Sequence, residues 1–314
     1  MTERRDSASQ QHHNVSKFYL AGFTEGGTTD SQFHVLEPRS GRSWFSTPAK
    51  SARERNLNRI EADGLDPLVL EKSLSTLETS AASVILDVSS SLRPPTGNAL
   101  ASLVLFAAYM SEMTKPRREL WDGEEDRGVR WMLEMSAAPP GRFETMKNAV
   151  EEKNGIKSNL TYEKYVEYLD RSHARFSNTH RATRLMALVD AVYRMLMARR
   201  WSIVVPAEGA GHFICSDVPA VVYEAGPWSS SPGLMSKRSE FTMPLNRGLI
   251  LLGRFEGQSG WATAAARDVA ALNNRTRMHA KLLYCPHEHF PWIRRDGCVS
   301  TSRAELIAES APNP

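Results

Sequence analysis

The alternation of apolar and polar positions divides the chain into three stretches. After a leader over residues 1–11 that reads as disordered, the box His12 to Phe23 brings Phe18, Tyr19, Leu20 and Phe23 into the fold. Two β-prone runs, Phe33-His34-Val35-Leu36 and Trp44-Phe45, flank the turn-forming Glu37-Pro38-Arg39-Ser40-Gly41-Arg42, which predicts a β-hairpin. A helical middle follows over about 65–200. It opens at Asp66-Pro67 and carries Leu68, Leu70, Leu74, Leu77, Ala81 and Ile85 at roughly helical spacing as far as Pro94-Pro95. The next helix, from Thr96–Asn98 to Met110, is apolar on nearly all sides and belongs at the centre of a core. Trp121–Met135, Phe143–Glu152, a face beginning at Tyr162 and the long run from Arg184 to Trp201 complete the middle. The last of these places Arg181, Arg184, Arg194, Arg199 and Arg200 on its outer face.

After Trp201 the period shortens. Ser202–Val205, His212–Cys215 and Ala220–Tyr223 read as three strands of a meander, and Phe241–Leu245 with Leu249–Leu252 reads as a hairpin. Trp261–Leu272 and Arg277–Leu283 read as closing helices. The expected fold is therefore α+β: a helix-rich single globular unit with a small, mainly antiparallel sheet built from the N-terminal hairpin and the strands after residue 201. One domain is expected over 12–305, with its β-rich part at about 202–253, its closing helices at about 261–284 and a flexible tail over 306–314.

Composition narrows the function. With 314 residues, 41% apolar and 24% charged, the chain has the profile of a globular protein large enough to need neither disulfides nor a metal for stability. Three cysteines, few and odd in number, argue for a reducing compartment, and no secretory h-region precedes the fold, so a cytoplasmic protein is expected. The longest apolar stretch, Ala99 to Met110, is too short for a bilayer, where roughly twenty residues are needed. A net charge of +3 permits nucleic-acid contact without demanding it. No glycine-rich phosphate loop occurs, so no nucleotide cofactor is implied.

Several positions are candidates for chemistry. Ser216-Asp217-Val218-Pro219 is a polar turn between apolar strands, where a side chain can project into a cleft or simply bond its own backbone. Lys50, Arg53, Arg55 and Arg59 form either a solvated connection or a phosphate-binding segment. In Cys285-Pro286-His287-Glu288-His289 the first, third and fifth residues would share one face of an extended strand, but Pro286 and the lack of a fourth ligand argue against metal.

The segment His13-Asn14-Val15-Ser16-Lys17-Phe18-Tyr19-Leu20 resembles the His-x-Val-Pro-x-Phe-Tyr-Leu opening of the domain-of-unknown-function family 4238. The likeness continues through the hairpin, Phe213–Pro219, Met243-Pro244-Leu245, Asn273 or Asn274, and Tyr284, about 270 residues in all; Ser16 stands where the family usually has proline. Through fungal proteins of similar kind, the resemblance implies an arginine-containing cyclodipeptide synthase that joins aminoacyl groups delivered by charged transfer RNA, with no cofactor and no stable protein partner. In that reading His13 is the base, Ser216 an acyl carrier, and Asp217 a partner for guanidinium or for His13. Glu208, Glu224, Asn273 and Tyr284 line the substrate, and Lys50, Arg53, Arg55 and Arg59, or the arginine-rich helix, hold the RNA. The alternatives are a nuclease or toxin, with His13 as base or metal ligand, and a non-enzymatic interaction protein.

Overall fold

The computed structural model describes residues 11–13, 15–51, 53–55, 69–138, 140–174, 176–224 and 233–310. The fold is α+β, with helices as the larger part and sheets that are mostly antiparallel. The chain divides into two compact units where the sequence is read as one domain: residues up to Lys115 together with those from Asn178, and Pro116–Ser177.

The first unit begins with β1 (Gln11–His13) and the short helix α1 (Lys17–Ala21). Ser16, which starts α1, has φ −59°, the value a proline ring would enforce, so the departure from the family pattern is conformationally neutral. The hairpin forms as expected from β2 (Phe33–Glu37) and β3 (Arg42–Ser46), with Gly41 at φ +70° closing the turn, and β4 (Arg53–Arg55) follows. The helices α2 (Val69–Ser91) and α3 (Gly97–Glu112) match their predicted spacing, and α3 buries Leu103, Val104, Phe106, Ala107 and Met110 completely. Asp66 and Pro67, the expected start of α2, lie outside the described residues.

The second unit takes most of α4 (Lys115–Ala137), with α5 (Pro140–Asn154) and α6 (Tyr162–Arg171). Phe143 packs on Tyr162 and Tyr165, and the Thr161 hydroxyl caps α6 by accepting the Lys164 N–H.

The chain then returns to the first unit through α7 (Asn178–Met197), which packs on α3, and enters β5 (Arg200–Pro206). Between them Arg199 corrects the sequence reading, which had it on an outer helix face. It is 5% exposed and donates to the carbonyls of Ser239, Leu234 and Gly253 and to the Ser239 hydroxyl. The helix has ended two residues earlier, so its periodicity no longer decides which way Arg199 points.

The remaining elements are β6 (Cys215–Ser216), β7 (Val221–Glu224), β8 (Ser239–Asn246), β9 (Leu249–Arg254), β10 (Gly260–Ala264), α8 (Ala266–Arg277), β11 (Leu283–Cys285), β12 (Trp292–Ile293), β13 (Val299–Ser300) and α9 (Arg303–Ser310). The hairpin β8–β9 is as expected, whereas the three-strand meander is not formed. β5 and β7 belong to a five-stranded sheet ordered β10-β5-β9-β8-β7, while β6 pairs with β11 in a separate sheet ordered β3-β2-β11-β6. Strand-like composition identifies a strand but not its partner, and here the partners arrive later in the chain. Of the run His212–Cys215 only Cys215 is in a strand. Gly211, at φ +93° and with Pro291 2.8 Å from where a Cβ would stand, bends the chain just before it.

The closing helices are also corrected. Trp261 lies in β10, which runs parallel to β5, and Leu283 lies in β11. A short apolar run is compatible with either period, and pairing with Ile203 decides for Trp261. At the C-terminal end, residues 306–310, expected in a flexible tail, belong to α9, whose Leu306 is fully enclosed with Leu36, Ile214, Leu283 and Trp292. Among the described residues no helix is long and apolar enough to cross a membrane.

Candidate functional site

The segments that carry the family resemblance meet around the inner strands of the five-stranded and four-stranded sheets. Tyr19, 1% exposed, donates its hydroxyl hydrogen to the Pro244 carbonyl, so the opening box is bonded to the Met243-Pro244-Leu245 segment. The Arg247 N–H donates to Gly22 O at 3.0 Å, and the Arg247 carbonyl accepts from Phe213 N at 2.9 Å, which carries the link on to the Phe213–Pro219 segment. Asn273, fully enclosed on α8, makes three further bonds. Its Oδ1 accepts from Ile214 N at 3.1 Å, and its Nδ2 donates to the carbonyls of His212 at 3.0 Å and Pro291 at 2.9 Å. The adjacent Asn274 holds the backbone of Ile293 from both sides.

Within this frame the proposed nucleophile and acid are engaged with backbone. The Ser216 hydroxyl is inaccessible, donates to Val218 O at 2.8 Å and accepts from Val218 N at 3.2 Å. This is a turn-stabilising arrangement rather than that of an open nucleophile. Asp217 Oδ1 accepts from Lys281 N at 3.0 Å and Leu282 N at 3.2 Å, which pins the start of β11. Burial raises the Asp217 pKa even though these donors and the Lys281 charge act the other way. Tyr284 is 2% exposed on β11, edge-on to Phe33, and burial raises its pKa strongly. Glu224 accepts from the Ser236 hydroxyl at 2.8 Å and faces Arg238 at 4.0 Å, and Glu208 is exposed in the turn after β5.

His13 stands opposite Arg53, and Gln11 opposite Arg55, in the antiparallel ribbon β1–β4. The side chains of His13, Arg53 and Arg55 lie outside the described residues, as does Arg59 entirely; Lys50 is exposed. Three members of the expected site, His13, Arg53 and Arg55, thus share one ribbon, while Ser216 ends β6 of the four-stranded sheet and Asp217 follows it.

The Cys285 to His289 segment leaves β11 at Cys285, so its alternate residues do not share a strand face. Cys285 is buried, the His289 ring lies 3.2 Å from Thr301 O, and His287 turns its ring to His212 at a centroid distance of 5.0 Å. Burial, with His287 and Arg247 adding to it, lowers the His212 pKa to about 4. Among the described residues no group of three or more His, Cys, Asp or Glu side chains is arranged to hold a metal ion.

A feature that sequence reasoning missed is a cleft of about 740 Å³ between α8, the segment 279–281, the β2–β3 turn and α9. Arg39, Arg275, Arg277, Lys281 and Arg295 line it, against the single carboxylate of Glu309, with Tyr223 and His279 in the wall. Arg275 is held at 2.5 Å by Glu240 and lies over the Tyr223 ring at 4.2 Å. Burial alone would raise the Glu240 pKa, but Arg275 and Arg254 outweigh it and the net direction is down. Arg277 lies over the Trp292 ring and donates to Asn274 Oδ1 at 3.0 Å; burial lowers its pKa. Arg39, exposed at the hairpin tip, has no ion pair among the described residues. Of the expected site residues, Asp217 borders this cleft through Lys281 and Asn273 through Asn274, its neighbour on α8. The signal in the sequence was only the spacing Arg275-x-Arg277 beside Asn273-Asn274.

These observations define an α+β protein with a five-stranded and a four-stranded sheet, both mainly antiparallel, and a basic cleft at one end of the four-stranded sheet. The chain belongs to the family described as protein of unknown function, DUF4238, whose sequence model matches residues 11–281. No curated protein and no solved structure matches it.

Proposed function

We propose that the protein is an aminoacyl transferase that takes its substrates from charged transfer RNA and joins two aminoacyl groups, one of them arginyl, into a cyclic dipeptide. The observation that carries this reading is the basic cleft: five cationic side chains against one carboxylate, with an aromatic ring in the wall, suit a polyanion that ends in a nucleoside. The α-amine of one aminoacyl ester attacks the carbonyl carbon of the other. The ester C–O bond breaks, and the RNA 3′-hydroxyl leaves with the proton that the amine has lost. The free α-amine of the resulting dipeptidyl ester then attacks the remaining ester carbonyl, whose C–O bond breaks to close the ring and release the second RNA 3′-hydroxyl with the amine's proton. Both esters arrive activated, so no nucleoside triphosphate is needed, in keeping with the lack of a glycine-rich phosphate loop. The protein contributes position and a base, for which His13 and the cleft residue His279 are the candidates. Because the Ser216 hydroxyl is bonded in its turn, direct transfer between the two esters is favoured over a seryl intermediate.

A second reading, a nuclease, is supported by the same cations with His279 among them. One experiment separates the two. Purified protein is incubated with arginyl-tRNA and a mixture of other charged tRNAs, and both the small products and the RNA are analysed, with and without EDTA. An arginine-containing cyclic dipeptide over intact RNA is the expected result. Shortened RNA would establish the nuclease, and intact RNA without product would leave a non-enzymatic interaction protein.

A further inference from the structure

A second cleft, of about 530 Å³, opens at the other end of the β2–β3 hairpin. Glu25 reaches it from the loop after α1, His34 from β2, Phe45 from β3, and His287 and Glu288 from the loop after β11. Four separate segments therefore converge on it, and among the described residues no lysine or arginine lines it. Phe45 is 63% exposed, unusual for so large an apolar ring, and the His34 ring lies beside it at a centroid distance of 4.2 Å. Glu25 has no ion pair or hydrogen bond among the described residues. Glu288 is bonded through Oε1 alone, to Arg303 at 2.9 Å.

We propose that this cleft binds a cationic amine, with the charged nitrogen taken by the Glu25 and Glu288 carboxylates and by imidazole nitrogens of His34 and His287, and the carbon chain laid against Phe45. Each part of the lining favours a cation. The Glu25 carboxylate supplies unpaired charge, Glu288 offers its Oε2 beside the pair with Arg303, the open face of Phe45 supplies a cation–π surface, and a neutral imidazole offers a lone pair. His34 is held in that neutral form chiefly by burial, with Arg303, His287 and His289 acting in the same direction against Glu288. Anions are disfavoured here by the same groups, so the two clefts select opposite charges. That the amine belongs to an aminoacyl ester rests on the proposed function; that the cleft binds an amine does not.

The test uses the full chain without RNA. L-Norleucine amide and L-arginine amide, both cationic, and neutral N-acetyl-norleucine amide are titrated into the protein at low salt by calorimetry. Saturable binding of the two cations and none of the acetylated control is expected. Glu25→Gln and Phe45→Ala, both at exposed positions, should each weaken it about tenfold, while Lys281→Ala in the basic cleft leaves it unchanged. Circular dichroism melts confirm that the variants are folded. Amine binding by a protein that makes no cyclic product would support this site while removing the transferase. Equal affinity for charged and acetylated ligands, or for wild type and Glu25→Gln, overturns the site whether or not product forms.

Discussion

The two clefts lie at opposite ends of the β2–β3 hairpin and of the strand β11, and they differ in almost everything else. The basic cleft gathers its cations from the hairpin tip, from α8, from the segment between α8 and β11 and from the β12–β13 turn, and it fixes two of them on aromatic rings, Arg275 over Tyr223 and Arg277 over Trp292. The histidine cleft, at the open end of the same hairpin, has carboxylates and imidazoles and an exposed phenylalanine. A hairpin only five residues long on each strand thus presents opposite electrostatic environments at its two ends. Charge on a surface is set by which loops reach a strand end, not by the strand itself, and short strands let loops of contrasting composition come close together.

Asn273 ties α8 to the backbone of His212, Ile214 and Pro291, and breaking that tie should have the largest effect. Asn273→Leu would strip partners from Ile214 N and from the carbonyls of His212 and Pro291 in an enclosed site. A loss of about 3–5 kcal/mol in denaturant unfolding is expected; a loss below about 1 kcal/mol would mean that the α8 contact is dispensable.

Next comes the neutrality of His212, half-buried behind His287. The folded pKa of His212 is lowered to about 4 from 6.5, so between those values the unfolded chain binds more protons. Stability should be fully present above about pH 6.5 and decline as the pH falls toward about 4, by roughly 3 kcal/mol in all. Unfolding curves measured across this range should be steeper in pH for the wild type than for His212→Gln.

A smaller effect is expected from the basic cleft. Arg39→Ala combined with Lys281→Ala should weaken transfer-RNA binding roughly tenfold and flatten the slope of log K against log salt by about 1.4, if both contacts are to single-stranded phosphates. An unchanged slope would show that the cleft does not touch the RNA backbone. Smallest is Glu240→Gln, which loosens Arg275 and Arg254 together; about 1 kcal/mol of stability should go, readable as a lowered melting temperature.

Much of the fold was legible because local pattern and tertiary environment agreed. The uninterrupted apolar text of α3 could only be a buried helix, and the Pro-Arg-Ser-Gly turn between two aromatic runs could hardly avoid becoming a hairpin. The misreadings fall where a short segment's neighbours are distant in sequence. Trp261 became a strand because Ile203 lies beside it, and Arg199 turned inward because the carbonyls of Leu234, Ser239 and Gly253 surround it. The candidate site was less legible still. Ser216 and Asp217 were found as a polar turn, with the backbone-bonding role weighed there as an alternative, but the two hydrogen bonds that engage each of them involve atoms no motif records.

By itself, the sequence determined the α+β class, the buried central helix, the hairpin and membership of its family, since each of these follows from residue type and spacing over a contiguous stretch. Only the tertiary structure decided that β6 leaves its neighbours to pair with β11, and that Arg39, Arg275, Arg277, Lys281 and Arg295 form one cleft while Glu25, His34, Phe45, His287 and Glu288 form another. The reason is physical: burial and electrostatic fields depend on distance through space, and residues hundreds of positions apart acquire a common environment only when the sheets bring their loops together.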